Sequence, residues 1–152
     1  MSGVFIDTNV LVYAEQRPSR FHVPARACLA RLEGQGAPLW ISRQVLREYF
    51  AVMTRPVPGS PPIPALATAD AIAAAIQLEE TFAIAEDGPR VTEALIGLLR
   101  RHPIAGRGIH DANIVATMLV HGLDRLLTFN VGDFRRYAGD IALEATDISG
   151  PA

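Results

Sequence analysis

Apolar and polar positions fall into blocks along the chain, switching between short continuous runs and stretches with the period of a helix. Val4-Phe5-Ile6 is an apolar run closed by Asp7-Thr8-Asn9, the pattern of a buried strand with a polar carboxyl end. Val10, Leu11 and Ala14 carry a helical spacing directly after it. Pro24 to Gly34 predicts a helix, with proline in its first turn and glycine at its end. Pro38-Leu39-Trp40-Ile41 reads as a second strand. Ser42 can cap a helix that runs to Thr54, where Arg55-Pro56 stops it. Thr68 to Glu80 is Ala-rich and helical, and Thr81 to Ala85 is a strand candidate. Pro89 to Arg101 predicts a helix, as does His110 to His121, which Gly122 ends. Arg125 to Phe129 reads as a strand, and Ile141 to Ala145 is the candidate for the last one. Val57 to Pro64 and His102 to Gly108 are rich in proline and glycine and predict loops. Strands alternating with helices predict a three-layer α/β/α sandwich around a central, mostly parallel sheet.

Bulk properties narrow this picture only a little. At 152 residues the expectation is one domain spanning 1–152. Hydrophobic residues make up 49% and charged residues 20%, a balance that excludes a disordered chain. No apolar run approaches the ~18 residues that span a bilayer. The first residues, Met-Ser-Gly-Val-Phe-Ile-Asp, lack the basic stretch of a secretory signal, so a cytoplasmic protein is expected. The single Cys28 agrees, because it excludes an internal disulfide. A net charge of −2 provides no positive field that would advertise nucleic acid. All 14 basic residues are arginine. That suits bidentate phosphate contact, but codon bias in a GC-rich genome is the preferred account.

The candidate chemistry lies in acids. Asp7 stands where the first strand ends, the place where open α/β sheets bind ligands; a helix N-cap is the other reading. Val45, Glu48, Tyr49 and Val52 fall at i, i+3, i+4 and i+7 on one helix face. Glu48 thus sits in an apolar stripe, where a carboxylate needs a metal or a partner such as a nearby arginine. Asp111, Ile114, Val115 and Met118 repeat the spacing. An Asp in the first turn also suits the helix dipole whatever its function. Asn130 and Asp133 follow the strand Leu126-Leu127-Thr128-Phe129, at the same sheet edge as Asp7; a polar loop in which Asp133 caps the turn before Phe134 is the alternative.

The conjunction points further than any one acid. Acids from separate segments can converge on one sheet edge, and such a cluster is tolerable when protons or a divalent cation neutralise it. Oxygen ligands select a hard ion, Mg²⁺ or Mn²⁺, and one cysteine excludes a Cys-rich zinc site. Such an ion activates water and stabilises charge on a phosphate under in-line attack.

Four segments carry a resemblance. They are Phe5-Ile6-Asp7-Thr8-Asn9, Ser42-Arg43-Gln44-Val45-Leu46-Arg47-Glu48-Tyr49, Ile109-His110-Asp111-Ala112, and Leu127-Thr128-Phe129-Asn130-Val131-Gly132-Asp133-Phe134. In this order and spacing, over nearly the whole length, the chain resembles the PIN-domain ribonucleases, and within them the VapC-type toxins of bacterial toxin–antitoxin pairs. The resemblance implies a PIN-like fold and an endoribonuclease. It implies metal-binding, catalytic acids at Asp7, Glu48 and Asp111. A fourth falls at Asp133, with Asn130 standing where many relatives carry an acid. Thr8, Asn9, Thr128 and Asn130 become supporting or substrate-contacting residues. A homodimer and an antitoxin that covers the site are implied as well.

The expected reaction is hydrolysis of an RNA phosphodiester by metal-activated water, on single-stranded or loop RNA, whose backbone can enter a cleft. Two rivals are open. Asp7 suits a phosphatase nucleophile, although the chain has no lysine and that reading leaves Glu48 without a task. A non-catalytic domain binding RNA or a protein is the other. His110 reads as a structural or substrate contact rather than a general base. Arg47, Arg55 and Arg107 read as surface arginines, and Trp40, Tyr49 and Cys28 as core.

Overall fold

A computed structural model describes residues 2–146, so the expected domain range 1–152 extends past it at both ends. The elements, in chain order, are β1 Val4–Ile6, α1 Thr8–Glu15, α2 His22–Gly34, β2 Leu39–Ser42, α3 Arg43–Met53, α4 Thr68–Thr81, β3 Ala83–Ala85, α5 Pro89–Arg101, α6 Gly108–Val120, β4 Arg125–Leu127, α7 Val131–Phe134 and β5 Ala142–Leu143. A 3-10 turn, Arg135–Tyr137, follows α7. The five strands form one sheet in the order β3-β2-β1-β4-β5, and every pairing is parallel. The expected α/β sandwich is the fold observed.

The strand order explains the sequence pattern. β1 is central, with Val4, Phe5 and Ile6 each 0% exposed, so it reads as a continuous apolar run rather than an alternation. The chain builds β2 and β3 on one side of β1, then crosses to β4 and β5 on the other. Helices α1 to α4 pack among themselves, as do α5 and α6. The reversal of winding between β3 and β4 puts these two groups on opposite faces. The direction changes between β1 and β4, and their carboxyl ends flank the crevice where such sheets hold ligands.

Local chemistry sets the helix ends. Ser42 Oγ accepts the Val45 N–H at 3.3 Å, the cap expected for α3. Val45, Tyr49 and Met53 then bury one stripe of that helix. Gly122, at φ +67°, closes α6 where a side chain would be strained. Three expectations need correction. β4 ends at Leu127, two residues early, because Thr128 turns its side chain to Asp7. Val131–Phe134 is a four-residue helix where no element was expected, too short to show a period. β5 pairs only through Ala142 and Leu143. The Pro/Gly-rich stretch 57–64 closes on itself through a bridge between Val57 and Ile63. Among the described residues no helix is long and apolar enough to cross a membrane.

Candidate active site

Asp7 is the first residue past β1, and its carboxylate serves two purposes. Oδ1 accepts the Thr8 N–H at 2.8 Å and so caps α1. Oδ2 accepts the Thr128 hydroxyl at 2.8 Å and the Asn9 amide at 3.2 Å. Every donor is neutral, and Asp7 is only 5% exposed. Burial pushes its carboxyl up from 3.8 to about 6, against the hydrogen bonds from Thr128 and Thr8 and with added repulsion from Glu48 and Asp111. Asp7 thus caps α1 and also stands within electrostatic reach of Glu48 and Asp111.

Thr8 carries the link to the next acid. Its hydroxyl donates to Glu48 Oε2 at 2.8 Å. Glu48 Oε1 accepts the Gln44 amide at 2.9 Å. The same amide donates to the His110 carbonyl at 2.9 Å, while Gln44 Oε1 accepts from Asn113 at 2.8 Å. Buried Gln44 thus ties α3, which carries Glu48, to the first turn of α6, which carries Asp111. Among the described residues no arginine pairs with Glu48; neutral donors hold it.

Asp111 is half-buried. Its carboxyl is raised, first by desolvation and then by the charges of Asp133 and Glu48, while His110 and Arg136 pull the other way. Asp111 and Asp133 line a pocket of about 60 Å³ with Ile104, Gly108, Arg136 and Tyr137. Asp133 is exposed in α7, and its N–H donates to the Asn130 carbonyl at 3.1 Å, so it sits within a helical turn instead of capping one. Asn130 is exposed too. Its N–H donates to Thr128 Oγ1 at 3.0 Å, and its side chain makes no cap bond. Asn9 completes the frame: its amide is shared with Thr128 Oγ1 at 3.3 Å, and its Oδ1 accepts the Phe129 N–H at 3.0 Å.

The structure therefore brings Asp7, Glu48, Asp111 and Asp133 to the carboxyl edge of β1 and β4. Thr8, Asn9 and Thr128 stand behind Asp7, and Asn130 supports the site through its backbone. Among the described residues, no arginine or histidine nitrogen lies within 4 Å of any of the four carboxylates. Among the described residues, no three acid, imidazole or thiol groups already stand as a metal cage; the oxygens of Asp7 and Glu48 are turned into neutral hydrogen bonds. A hard divalent cation still fits this donor set, because it would supply the positive charge that the fold withholds.

Sequence reasoning passed over Gln44, Asn113 and Arg136. The only signal for the first two was a polar side chain one turn before Glu48 and another just past Asp111. Tyr49 and Cys28 are core, at 1% and 2% exposure. Trp40 is half-buried, with its ring 6.2 Å from that of His121. Arg47, Arg55 and Arg107 are exposed.

Three comparisons place this geometry among known proteins. The PIN domain family model matches residues 4–140. Ribonuclease VapC24 of Mycobacterium tuberculosis (strain CDC 1551 / Oshkosh) is 29% identical over 129 residues, covering 85% of this chain and 87% of the relative. The crystal structure of Mycobacterium tuberculosis VapC20, a Sarcin-Ricin loop cleaving toxin, superimposes with a TM-score of 0.66 at 21% identity, over 91% of this chain and 97% of that one. VapBC2 from Rickettsia felis, bound to a DNA fragment from its promoter, also gives 0.66, at 19% identity over 95% and 98%.

Proposed function

The chain belongs to the PIN domain family, and from that premise we propose that it is a metal-dependent endoribonuclease acting through Asp7, Glu48, Asp111 and Asp133. The observation that carries this reading is Asp7 itself. It is a buried carboxylate with two more acids in electrostatic reach and, among the described residues, no cation within 4 Å. Such an arrangement costs stability in the free protein and is rewarded only when positive charge arrives from outside.

Asp7, Glu48 and Asp111 would hold Mg²⁺, for which Mn²⁺ can substitute, with Asp133 at the rim. When bound, the ion supplies a more acidic water and neutralises charge on the phosphate. The chain's own residues make the site ready for it. Thr128 and Asn9 hold Asp7 in one orientation, and Thr8 fixes Glu48 relative to Asp7. Gln44 keeps Glu48 and the start of α6 in register. These neutral donors set direction without spending the negative charge.

The biological role follows the relatives. The chain acts as a growth-inhibiting toxin in the cytoplasm, as one domain, neutralised by an antitoxin. The toxin–antitoxin complex from Klebsiella pneumoniae, with a TM-score of 0.64 over 95% of this chain, supports that pairing. A homodimer is supported by Ile72 and Ile76, one turn apart on α4 and 46% and 54% exposed, which offer an apolar surface to a second copy. An Asp7-phosphate phosphatase would leave the donors around Glu48 without a purpose, and a purely binding domain would leave the acids unexplained.

The test is cleavage of tRNA and of a single-stranded RNA by the purified protein, with p-nitrophenyl phosphate alongside. RNA cleavage with Mg²⁺ or Mn²⁺ that disappears in EDTA is expected. Cleavage that persists after thorough chelation removes the metal reading, and turnover of the phosphate ester alone favours the phosphatase.

A further inference from the structure

Four acids at one edge raise a problem for a polyanionic substrate, and one side chain is placed to answer it. Arg136 is the only basic residue lining the pocket of about 60 Å³ that it shares with Asp111 and Asp133. Its backbone is fixed. The 3-10 turn Arg135–Tyr137 is anchored by Phe134 and Tyr137, which are 0% and 1% exposed on either side of Arg135 and Arg136. Its guanidinium is close enough to Asp111 to favour the ionised carboxylate. It is not consumed by that proximity, however: among the described residues Arg136 makes no ion pair within 4 Å and no hydrogen bond.

Arg43, Arg101 and Arg125, by contrast, are each locked to a carboxylate. Among the described residues Arg136 stands beside Asp111 and Asp133 with all five of its side-chain N–H donors open. We propose that Arg136 is a substrate-binding residue whose planar fork takes the non-bridging oxygens of an RNA phosphate next to Asp111 and Asp133. The pocket is small, and Asp133 and Arg136 at its lining are exposed, so an RNA phosphate can reach it from solvent. An arginine fork fits two phosphate oxygens at once. Contact with a phosphate flanking the cut is the same in the ground and transition states, so it lowers KM and leaves kcat unchanged. This assignment rests on the nuclease reading above.

The experiment compares Arg136→Ala, Arg136→Lys and Arg135→Ala. Arg135→Ala is an equal charge change one residue away and outside the pocket. Cleavage of a fluorogenic single-stranded RNA is followed at saturating Mg²⁺. Binding of a fluorescein-labelled single-stranded RNA is measured by anisotropy in an Asp7→Asn background, from 50 to 200 mM KCl. Arg136→Ala is expected to raise KM about tenfold with kcat within twofold, and to flatten the salt dependence of binding by ~0.7 in the log–log slope, the share of one single-strand phosphate. Arg136→Lys is expected to fall between, and Arg135→Ala to match the parent. Equal effects of the two alanine variants would mean a general field and overturn the proposal. A loss confined to kcat, or to the Mg²⁺ concentration needed, would overturn it by assigning Arg136 to the acids instead. If the unaltered protein cleaves RNA but Arg136→Ala matches it throughout, Arg136 alone is refuted. If the unaltered protein neither binds nor cleaves RNA, both this assignment and the nuclease reading fall.

Discussion

The acids of this chain live under two regimes. Away from the crevice four acids are paired with cations. Arg43 holds both Glu79 and Glu86, Arg101 and His102 flank Asp140, and Arg125 holds Glu144. The Arg43 hydrogen bond keeps the Glu86 carboxyl below its ordinary value. At the crevice the signs reverse: Asp7 and Asp111 are both raised, and none of the four carboxylates has a cation within 4 Å among the described residues. The chain has 14 arginines to draw on, so scarcity is not the reason. The Arg43 pairs lie on the surface, where water screens them and they contribute little, while Arg125–Glu144 is partly buried. In the crevice, buried Asp7 is given no such partner among the described residues. Departures from local consistency of this kind belong to functional sites.

The strongest way to break the contrast is to neutralise its centre. Asp7→Asn keeps the shape and the cap acceptor but removes a charge. RNA cleavage with Mg²⁺ is expected to fall by more than the roughly 100-fold that losing a residue behind a metal ligand costs. Mg²⁺ is expected to raise the melting temperature of the parent and not of the variant, since only a ligand that binds the folded state stabilises it. Near-parental cleavage by Asp7→Asn would remove Asp7 from the chemistry.

The same variant in EDTA tests the energetic half of the contrast. The Asp7 carboxyl titrates near 3.8 when the chain is unfolded and at about 6 when folded. Below pH 4 both states hold the proton and there is no penalty. As pH rises toward 6 the unfolded chain releases it first, so stability falls. Above pH 6 both states are ionised and the full penalty remains, roughly 3 kcal/mol for that gap. Asp7→Asn lacks this penalty, though its own amide faces the Asn9 donor and returns part of the gain. The variant is expected to melt above the parent at pH 8 in EDTA, with the difference shrinking by pH 4.5. A variant less stable by ~3–5 kcal/mol at pH 8 would mark Asp7 as half of a structural pair instead.

How much of this was readable beforehand depends on sequence separation. The apolar run of β1 and the spacing around Glu48 and Asp111 are local, and they located both the sheet and the candidate acids. The convergence of those acids on one edge followed from a parallel sheet, whose carboxyl ends share an edge and which the alternation of elements implied; the strand order itself was not readable. Gln44 and Asn113 were not readable. Gln44 acts on a carbonyl 66 residues away and Asn113 on a side chain 69 away, and a polar residue on a helix shows nothing of such a partner. Arg136 hid for another reason: α7 and the turn after it are too short for any periodicity to orient a side chain. The end of β4 was misjudged because Thr128, β-branched and well suited to a strand, is instead recruited by Asp7.

Gln44 offers a finer cut, because it touches the site without carrying charge. Gln44→Ala removes one of the two donors holding Glu48, one donor to the His110 carbonyl, and one acceptor from the Asn113 amide, which keeps Asp87. Losing these hydrogen bonds is expected to cost ~1 kcal/mol, and cleavage to drop about 10–100-fold. Thermal melting and initial rates on the same preparation check both. Rates at the parental level together with reduced stability would restrict Gln44 to holding α3 against α6.

The smallest effect belongs to the paired regime, and its smallness is the point. Arg43 joins the first turn of α3 to Glu79 on α4 and to Glu86 just past β3. Both acids and the arginine are well exposed, with side-chain exposures of 40%, 49% and 63%. Long side chains lose rotamer freedom to hold such contacts, and water weakens them, so the net gain is slight. Arg43→Ala is therefore expected to lower the melting temperature only slightly at 50 mM KCl and to match the parent at 0.5 M, where the Debye length has shrunk to a few ångströms. Arg43 lies outside the crevice, so cleavage is expected to be unchanged. The comparison turns on relative size at one pH. At pH 8 in EDTA, removing a paired surface charge must cost less than removing the unpaired Asp7 charge gains. If Arg43→Ala proves the larger effect and survives high salt, the surface pairs carry the fold, and the contrast between the two sets of acids is not one between screened pairs and stored repulsion.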